Sequence, residues 1–87
     1  MIMYQIEYTR DVVKALKAMP RNVSLQIRGK IELLAADPFA TNNNVRKLVS
    51  REAFRLRVGD WRVIYEIEGG RLVIHVLTVA PRGGVYQ

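Results

Sequence analysis

The chain has 87 residues, 49% of them hydrophobic and none of them cysteine, and its 14 Lys and Arg residues outnumber its 8 Asp and Glu residues to give a net charge of +6. The absence of cysteine excludes a disulfide framework, a thiolate metal site and a cysteine nucleophile. We expect residues 1–87 to form one domain in the cytoplasm, since the first residues do not have the pattern of a signal peptide and the longest apolar run is far shorter than the roughly 18 residues of a membrane-spanning helix.

A short strand and a helix are predicted at the start of the chain. Residues 3–8 alternate between polar and apolar side chains, which is the period of a strand with one buried face. Thr9 can cap a helix, and Asp11 in its first turn complements the helix dipole. The spacing of the apolar residues that follow predicts a helix from about Arg10 to Ala18.

A second helix is predicted directly after the first. Pro20 suits the first turn of a helix, where its missing N–H would be unpaired in any case. Asp37 precedes Pro38, and the residue before a proline is driven out of the helical conformation, so the helix should end there. Between these limits the apolar residues recur at helical spacing: Val23, Ile27, Ile31 and Leu34. The two helices should form a hairpin, followed by a loop at residues 41–44.

In the second half of the chain the hydrophobic period changes from helical spacing to two. From Ala53 onward apolar residues alternate with Arg55 and Arg57, which predicts a strand with arginines on one face. The pair Gly59-Asp60 then offers a hairpin turn. Residues 61–68 are predicted to be the next strand.

The last predicted strand runs from Arg71 to Ala80, after a turn at Gly69-Gly70. Its nearly continuous apolar run predicts burial on both faces and a central place in the sheet. The order of elements is then β-α-α-β-β-β. This order predicts an α+β fold in which a helical hairpin packs on one face of a mainly antiparallel four-stranded sheet and leaves the other face open.

The arginines suggest a binding site on that open face. A strand's period of two places Arg55 and Arg57 on one face, and Arg62 follows across the turn on the neighbouring strand. Guanidinium groups that converge repel one another unless an anion lies among them, and arginine pairs bidentately with phosphate or carboxylate. The pattern therefore favours an anion-binding site over a solvated edge. Arg62 is expected to be exposed, so that its removal would leave the fold intact.

For the other chemically active residues the sequence gives weaker evidence of a functional role. His75 stands among apolar residues and is interpreted as a core histidine rather than a catalytic one. Trp61 and Tyr65 share a strand face and are expected in the core rather than stacked on RNA bases. The carboxylates lack the spacing of metal ligands, and no glycine-rich phosphate loop precedes a helix, so neither a metal site nor a nucleotide cofactor is predicted.

The segment from Phe54 to Ile67, FRLRVGDWRVIYEI, resembles the most typical stretch of toxins of the RelE/ParE superfamily, and of its RelE branch in particular. The resemblance covers nearly the whole chain. Further matches follow in the same order: Met19-Pro20, Asp37-Pro38, Lys47-Leu48, and a closing Arg82 with Val85-Tyr86.

This resemblance implies the RelE-like fold and a toxin of a type II toxin-antitoxin system. The RelE branch cleaves messenger RNA in the ribosomal A site without a metal ion, and leaves a 2′,3′-cyclic phosphate and a 5′ hydroxyl. The partners implied are a cognate RelB-like antitoxin, the ribosome and messenger RNA. Operator DNA should be bound only through the antitoxin, and no cofactor is implied.

Position by position, the resemblance assigns phosphate-binding roles in catalysis to Arg62 and Arg82, and it places Tyr86 close to the scissile phosphate. Attack by a ribose 2′ oxygen builds negative charge on the phosphoryl oxygens, which fixed guanidinium groups can stabilise. The residues expected to contact RNA are Lys47, Arg51, Arg55 and Arg57.

The sequence also departs from the RelE pattern. The best-known RelE-type enzyme has lysines where this chain has Arg55 and Arg57, and arginine is a poor proton acceptor because it stays protonated. Pro81 stands where many relatives have a histidine. The group that removes the 2′ proton is therefore open, and Tyr86 could serve if neighbouring arginines favour its phenolate.

Two alternatives to the nuclease are kept. A ParE-like poison of DNA gyrase shares the fold and acts by binding, without cleaving RNA. The presence of Arg62 and Tyr86 weighs modestly against that alternative. A catalytically degenerate family member that only binds its antitoxin is the other alternative, which the missing lysines and histidine would permit.

Overall fold

The structure is a computed structural model that describes residues 3–49 and 52–81. It confirms the α+β class and the order of the predicted elements. In chain order the elements are β1 (Gln5–Tyr8), α1 (Arg10–Ala18), α2 (Arg21–Ala36), β2 (Val45–Lys47), β3 (Phe54–Val58), β4 (Trp61–Glu68) and β5 (Val73–Pro81). Within the described residues no helix is both long and apolar enough to span a membrane.

The sheet has the order β1-β5-β4-β3-β2, and every pair is antiparallel except β1 with β5. The mainly antiparallel prediction is confirmed, but the sheet has five strands rather than four. The additional strand is β2, which has only three residues, two of them basic, and therefore lacks the alternating apolar pattern. β5 is an interior strand, as expected, although the middle position belongs to β4.

The ends of the helices follow the local signals in the sequence. The Thr9 hydroxyl accepts a hydrogen bond from the backbone N–H of Val12 at 3.3 Å, which confirms the cap of α1. Pro20 is the residue that precedes α2 rather than part of its first turn. α2 ends at Ala36, immediately before Asp37-Pro38, as the proline rule requires.

One turn differs from the prediction. β5 begins at Val73, two residues later than expected, because Arg71 and Leu72 belong to the turn that starts at Gly69. Leu72 has a φ of 56°, a left-handed conformation that is unusual for a leucine. The Gly59-Asp60 turn is confirmed, with the positive φ of 58° at Gly59 that a glycine adopts without steric cost.

The core lies between the helical hairpin and one face of the sheet. The buried face of α2 packs there against alternate residues of the strands, as the sequence spacing predicts. The principal members of this core are Val12, Ile27, Ile31, Leu34, Leu56, Val58, Val63, Tyr65, Ile74 and Val76. Tyr65 is buried and Trp61 packs against the same cluster, so the core interpretation of both aromatics is confirmed.

The hydroxyl of Tyr65 gives a testable stability prediction. It is buried without a hydrogen-bond partner in the described part of the chain, and burial raises its pKa to about 12. An unpaired buried hydroxyl costs roughly 1–3 kcal/mol, so Tyr65→Phe should leave the free energy of unfolding unchanged or raise it by about 1 kcal/mol. Urea unfolding measures this change, with Tyr4→Phe as the control at a partly buried position. A decrease of more than about 1 kcal/mol for Tyr65→Phe would contradict the prediction.

Candidate anion-binding face

Four arginines lie on the sheet face that is turned away from the helices. Arg57 lies directly opposite Arg62 across β3 and β4, and Arg46 lies opposite Arg55 across β2 and β3. Side chains that are directly opposite have Cβ atoms about 4.5–5.5 Å apart. We call this set, Arg46, Arg55, Arg57 and Arg62, the arginine face. The register therefore confirms that Arg55, Arg57 and Arg62 share one face of the sheet.

Arg46 was not among the site residues expected from the sequence. Its place on the arginine face depends on the existence and register of β2, and neither is visible in the hydrophobic pattern. The structure does not bring Lys47 to this face. Lys47 lies opposite Phe54, which packs on the helical side, and its Nζ lies 3.5 Å from Oε2 of Glu52. Neighbouring residues of a strand point to opposite faces of the sheet. Arg46, and not Lys47, therefore lies on the same face as Arg55 and Arg57.

Arg62 is held by backbone carbonyl groups of the turn that precedes it and of the first residue of β4. Its Nη1 donates to the carbonyl oxygen of Trp61 at 3.2 Å and to that of Gly59 at 3.5 Å. The residue is only 8% exposed, so the expectation of an exposed side chain is wrong. A guanidinium group fixed in this way loses little conformational freedom when it binds an anion, which is the condition for electrostatic preorganisation.

A buried apolar residue lies on the same side of the sheet as the arginine face. Ile64 is buried although it lies on the side of the sheet opposite the core, where its cross-strand neighbours are Arg55 and Thr78. The predicted open face is thus not uniformly polar. Long arginine side chains can cover apolar surface with their methylene groups while the charged ends stay in water.

The other half of the same sheet face carries acidic residues around His75. Nε2 of His75 lies 2.8 Å from Oε1 of Glu68, and its Nδ1 lies 3.3 Å from Oε1 of Glu7. The His75 side chain is 28% exposed, so its interpretation as a core histidine is wrong. The hydrogen bond from His75 lowers the pKa of Glu68, with a further contribution from Arg71. An anion therefore meets favourable charge over β2, β3 and the start of β4, and unfavourable charge over β1 and the end of β4.

The lowered pKa of Glu68 predicts a pH effect on stability. A carboxyl group with a lower pKa in the folded state stabilises the fold above its unfolded pKa of 4.5, and this contribution is lost as pH falls through the folded value. Glu68→Gln should therefore lose less stability than the wild-type chain between about pH 5 and pH 3. The urea midpoint at several pH values measures this loss. Glu52→Gln, at a highly exposed position, should behave as the wild type does.

Three of the predicted site residues, Arg51, Arg82 and Tyr86, lie outside the described residues. The arginine face can bind phosphoryl oxygens and stabilise negative charge, whereas arginine is a poor acceptor of protons.

In residues 3–49 and 52–81 no group of three or more His, Cys, Asp or Glu side chains is arranged to hold a metal ion.

Comparison with known proteins places this geometry in context. Residues 6–86 match the family described as the ParE toxin of the type II toxin-antitoxin system, parDE. A RelE-like toxin protein of Escherichia coli is 22% identical over 79 residues, which make up 91% of this chain and 83% of that protein.

Solved structures show the same fold. A chain in the archaeal RelE-RelB complex from Pyrococcus horikoshii is 30% identical, with a TM-score of 0.82 over 95% of this chain and 99% of that one. A chain in the intact Escherichia coli RelBE toxin-antitoxin complex is 17% identical, with a TM-score of 0.76 over 90% of this chain and 95% of that one. At that identity the second likeness concerns the fold alone.

Proposed function

The chain belongs to the ParE toxin family of the RelE/ParE superfamily and is therefore a toxin of a type II toxin-antitoxin system, and we propose that it acts as a ribosome-dependent messenger RNA endonuclease. The observation that supports this activity is the arginine face, in which Arg62 lies opposite Arg57 and donates hydrogen bonds to the carbonyl oxygens of Gly59 and Trp61. Phosphate groups are ligands that guanidinium groups bind bidentately.

The proposed reaction is metal-free attack by a ribose 2′ oxygen on the adjacent phosphorus. The 2′ hydroxyl gives up its proton to a base, the new P–O bond closes a 2′,3′-cyclic phosphate, and the bond to the 5′ oxygen breaks. That oxygen takes up a proton and leaves as a 5′ hydroxyl. Negative charge grows on the phosphoryl oxygens meanwhile, and the role assigned to Arg62 is to stabilise it. Arg82 and Tyr86 are proposed to complete the site.

The other arginines are proposed to bind the RNA strand. Arg57 is exposed beside Arg62, and Arg55 and Arg46 extend the positive charge along the next row of the sheet. Contacts of this kind position the backbone without reading its sequence. The ribosome would hold the message in the reactive geometry, so that weak acid and base groups on the toxin suffice.

The proposed partner that restrains this activity is a RelB-like antitoxin. The similar chains from Pyrococcus horikoshii and Escherichia coli were solved in complexes of RelE with RelB or of RelBE. A net charge of +6 favours an acidic partner that folds onto the toxin and covers or distorts the arginine face. Operator DNA would be bound through the antitoxin, and the proposed target places the toxin in the cytoplasm.

The test is to express the chain in cells and to map new 5′ ends on messages. Cuts inside reading frames that disappear when translation is blocked are the expected result. Messages that stay intact while growth stops and DNA breaks accumulate would instead identify a gyrase poison, the alternative that the ParE family match favours. Unaffected growth would identify a degenerate member that only binds its antitoxin.

A further inference from the structure

An apolar stripe runs along the outer side of α2, which is turned away from the sheet. Leu25 is 54% exposed and Leu33 is 68% exposed. Gly29 lies midway between them, and residues four apart are neighbours on the surface of a helix, so the three form one row. Ile27 and Ile31 hold the opposite side of α2 in the core. We call Leu25, Gly29 and Leu33 the leucine stripe; neither the core nor the proposed RNA site uses it.

The glycine in the middle of the stripe is not required by packing within the described residues. It lies inside α2 rather than at a helix end, where a glycine costs about 0.5–1 kcal/mol relative to alanine. A Cβ atom added at Gly29 would meet nothing within 4 Å. A glycine between two exposed leucines lets the backbone of another helix approach closely, since the distance between packed helices depends on the side chains at the contact. The stripe therefore has a low point at its centre where a second helix can cross α2.

The sequence around Gly29 has the symmetry that a two-fold contact requires. In an interface with two-fold symmetry, residue i contacts residue j of the other copy, and residue j contacts residue i. Two α2 helices that cross antiparallel at Gly29 place Leu25 of each copy against Leu33 of the other. The same crossing brings the exposed Arg21 of each copy near the exposed Asp37 of the other, because these residues lie eight positions before and after Gly29. Opposite charges therefore meet at both ends of the contact.

We propose that the leucine stripe is the contact surface of a symmetric dimer of this chain, with the two α2 helices antiparallel and Gly29 at their crossing point. α2 packs on the face of the sheet opposite the arginine face, so each copy keeps its arginine face open. The dimer is therefore compatible with the proposed function and does not depend on it.

The size of the contact determines how tightly the two copies associate. The 16 residues of α2 span about 24 Å. One pair of such helices buries less than the roughly 800 Å² per partner of a standard interface, and the net charge of +6 on each copy adds repulsion. We therefore expect a weak dimer that forms at high protein concentration, and a monomer at the low micromolar concentrations of a spectroscopic unfolding experiment.

Disulfide formation tests the crossing point. The chain has no cysteine, so an introduced thiol is the only one present. Gly29→Cys places a thiol on the two-fold axis, where the Cα atoms of two closely crossed helices lie within the roughly 4.4–6.8 Å that a disulfide spans. Lys30→Cys is the matched control, because Lys30 is exposed on the same helix but is rotated by about 100° from Gly29. Under mild oxidation at high protein concentration, Gly29→Cys should form at least about fivefold more linked dimer than Lys30→Cys on a non-reducing gel.

Two further cysteine variants test the direction of the helices. Leu25→Cys alone and Leu33→Cys alone should link poorly, since each thiol faces a leucine of the other copy. An equimolar mixture of the two chains, one of them carrying a tag that changes its mass, should give a linked heterodimer. Linking of Leu25→Cys with itself would indicate parallel helices, and equal linking of all the variants would indicate chance collisions; either result would overturn the proposal. Thermal unfolding at low concentration checks that each variant is folded.

Sedimentation equilibrium measures the dimer without a covalent link. Between about 10 and 500 µM the wild-type chain should shift from monomer towards dimer, and Leu25→Lys and Leu33→Lys should each weaken the association by about tenfold or more. Val49→Lys removes an exposed apolar side chain outside the stripe and should dimerise as the wild type does. A wild-type chain that stays monomeric throughout, or dimers that persist in both lysine variants of the stripe, would overturn the proposal. Thiols of the stripe that are shielded only in a complex with co-expressed antitoxin would do the same, and would assign the stripe to that partner.

Discussion

Replacing Arg62 by alanine should reduce the cleavage of translated messages by about 10²–10³-fold, the effect of removing one preorganised group that stabilises transition-state charge. Arg62 is the arginine that the β3–β4 turn holds in place, so alanine removes both the charge and its fixed position. Arg46→Gln removes an exposed cation at the edge of the same face, and its effect should be far smaller. New 5′ ends per message, counted after equal induction of each variant, measure the difference. If Arg62→Ala cleaves messages as fast as the wild type does, Arg62 does not belong to the proposed site.

The same substitution should also lower stability, which the sequence alone did not predict. A side chain that is 8% exposed and bonded to two carbonyl groups contributes to the fold as well as to binding, so Arg62→Ala should lose about 1–3 kcal/mol of unfolding free energy. Arg62→Lys keeps the charge without the planar guanidinium group. It should restore much of the stability and little of the cleavage. Urea unfolding of both variants, beside the cleavage assay, separates a lost catalytic group from a lost fold.

Replacing Ile27 by aspartate should unfold the protein. Ile27 is 0% exposed at the centre of the face that α2 packs against the sheet. An unpaired carboxylate there costs several kcal/mol, in addition to the lost packing of the isoleucine, and a small domain has only about 5–15 kcal/mol of stability in total. Circular dichroism at neutral pH should show the loss of cooperative thermal unfolding.

Leu33→Asp is the matched control on the same helix. Leu33 is 68% exposed, so the same carboxylate there remains in water and should change stability by less than about 0.5 kcal/mol. If Ile27→Asp unfolds cooperatively near the wild-type temperature, the core of this protein does not lie between α2 and the sheet.

Much of the fold follows from local patterns in the sequence. The alternation from Phe54 to Val58, the Gly59-Asp60 turn and the apolar run of β5 each specify one structure, because strand period, turn chemistry and burial agree there. Thr9 and the Asp37-Pro38 pair fix helix ends for reasons that involve only neighbouring residues. The place of Arg55, Arg57 and Arg62 on one sheet face could be predicted for the same reason, since one hairpin determines it.

The features that sequence analysis missed depend on tertiary neighbours. β2 is a strand because β3 pairs with it, and only that pairing reveals which of Arg46 and Lys47 faces the arginines. His75 stands in an apolar run, yet the pleat of β5 directs it to Glu7 and Glu68 on the sheet face that is turned away from the core. The burial of Arg62 arises from bonds to carbonyl groups that no hydrophobic pattern records.

The parallel pairing of β1 with β5 has a consequence for how this toxin is made. Gln5 pairs with Val73 and Tyr8 with Val76, so β1, near the start of the chain, pairs in the sheet with β5, the last strand of the described residues. Contacts so distant in sequence slow folding, because the chain must close a long loop before they form. The nascent chain therefore cannot complete its sheet until β5 has left the ribosome. A ribosome that makes this toxin is exposed to the folded protein only after most of the chain has been synthesised.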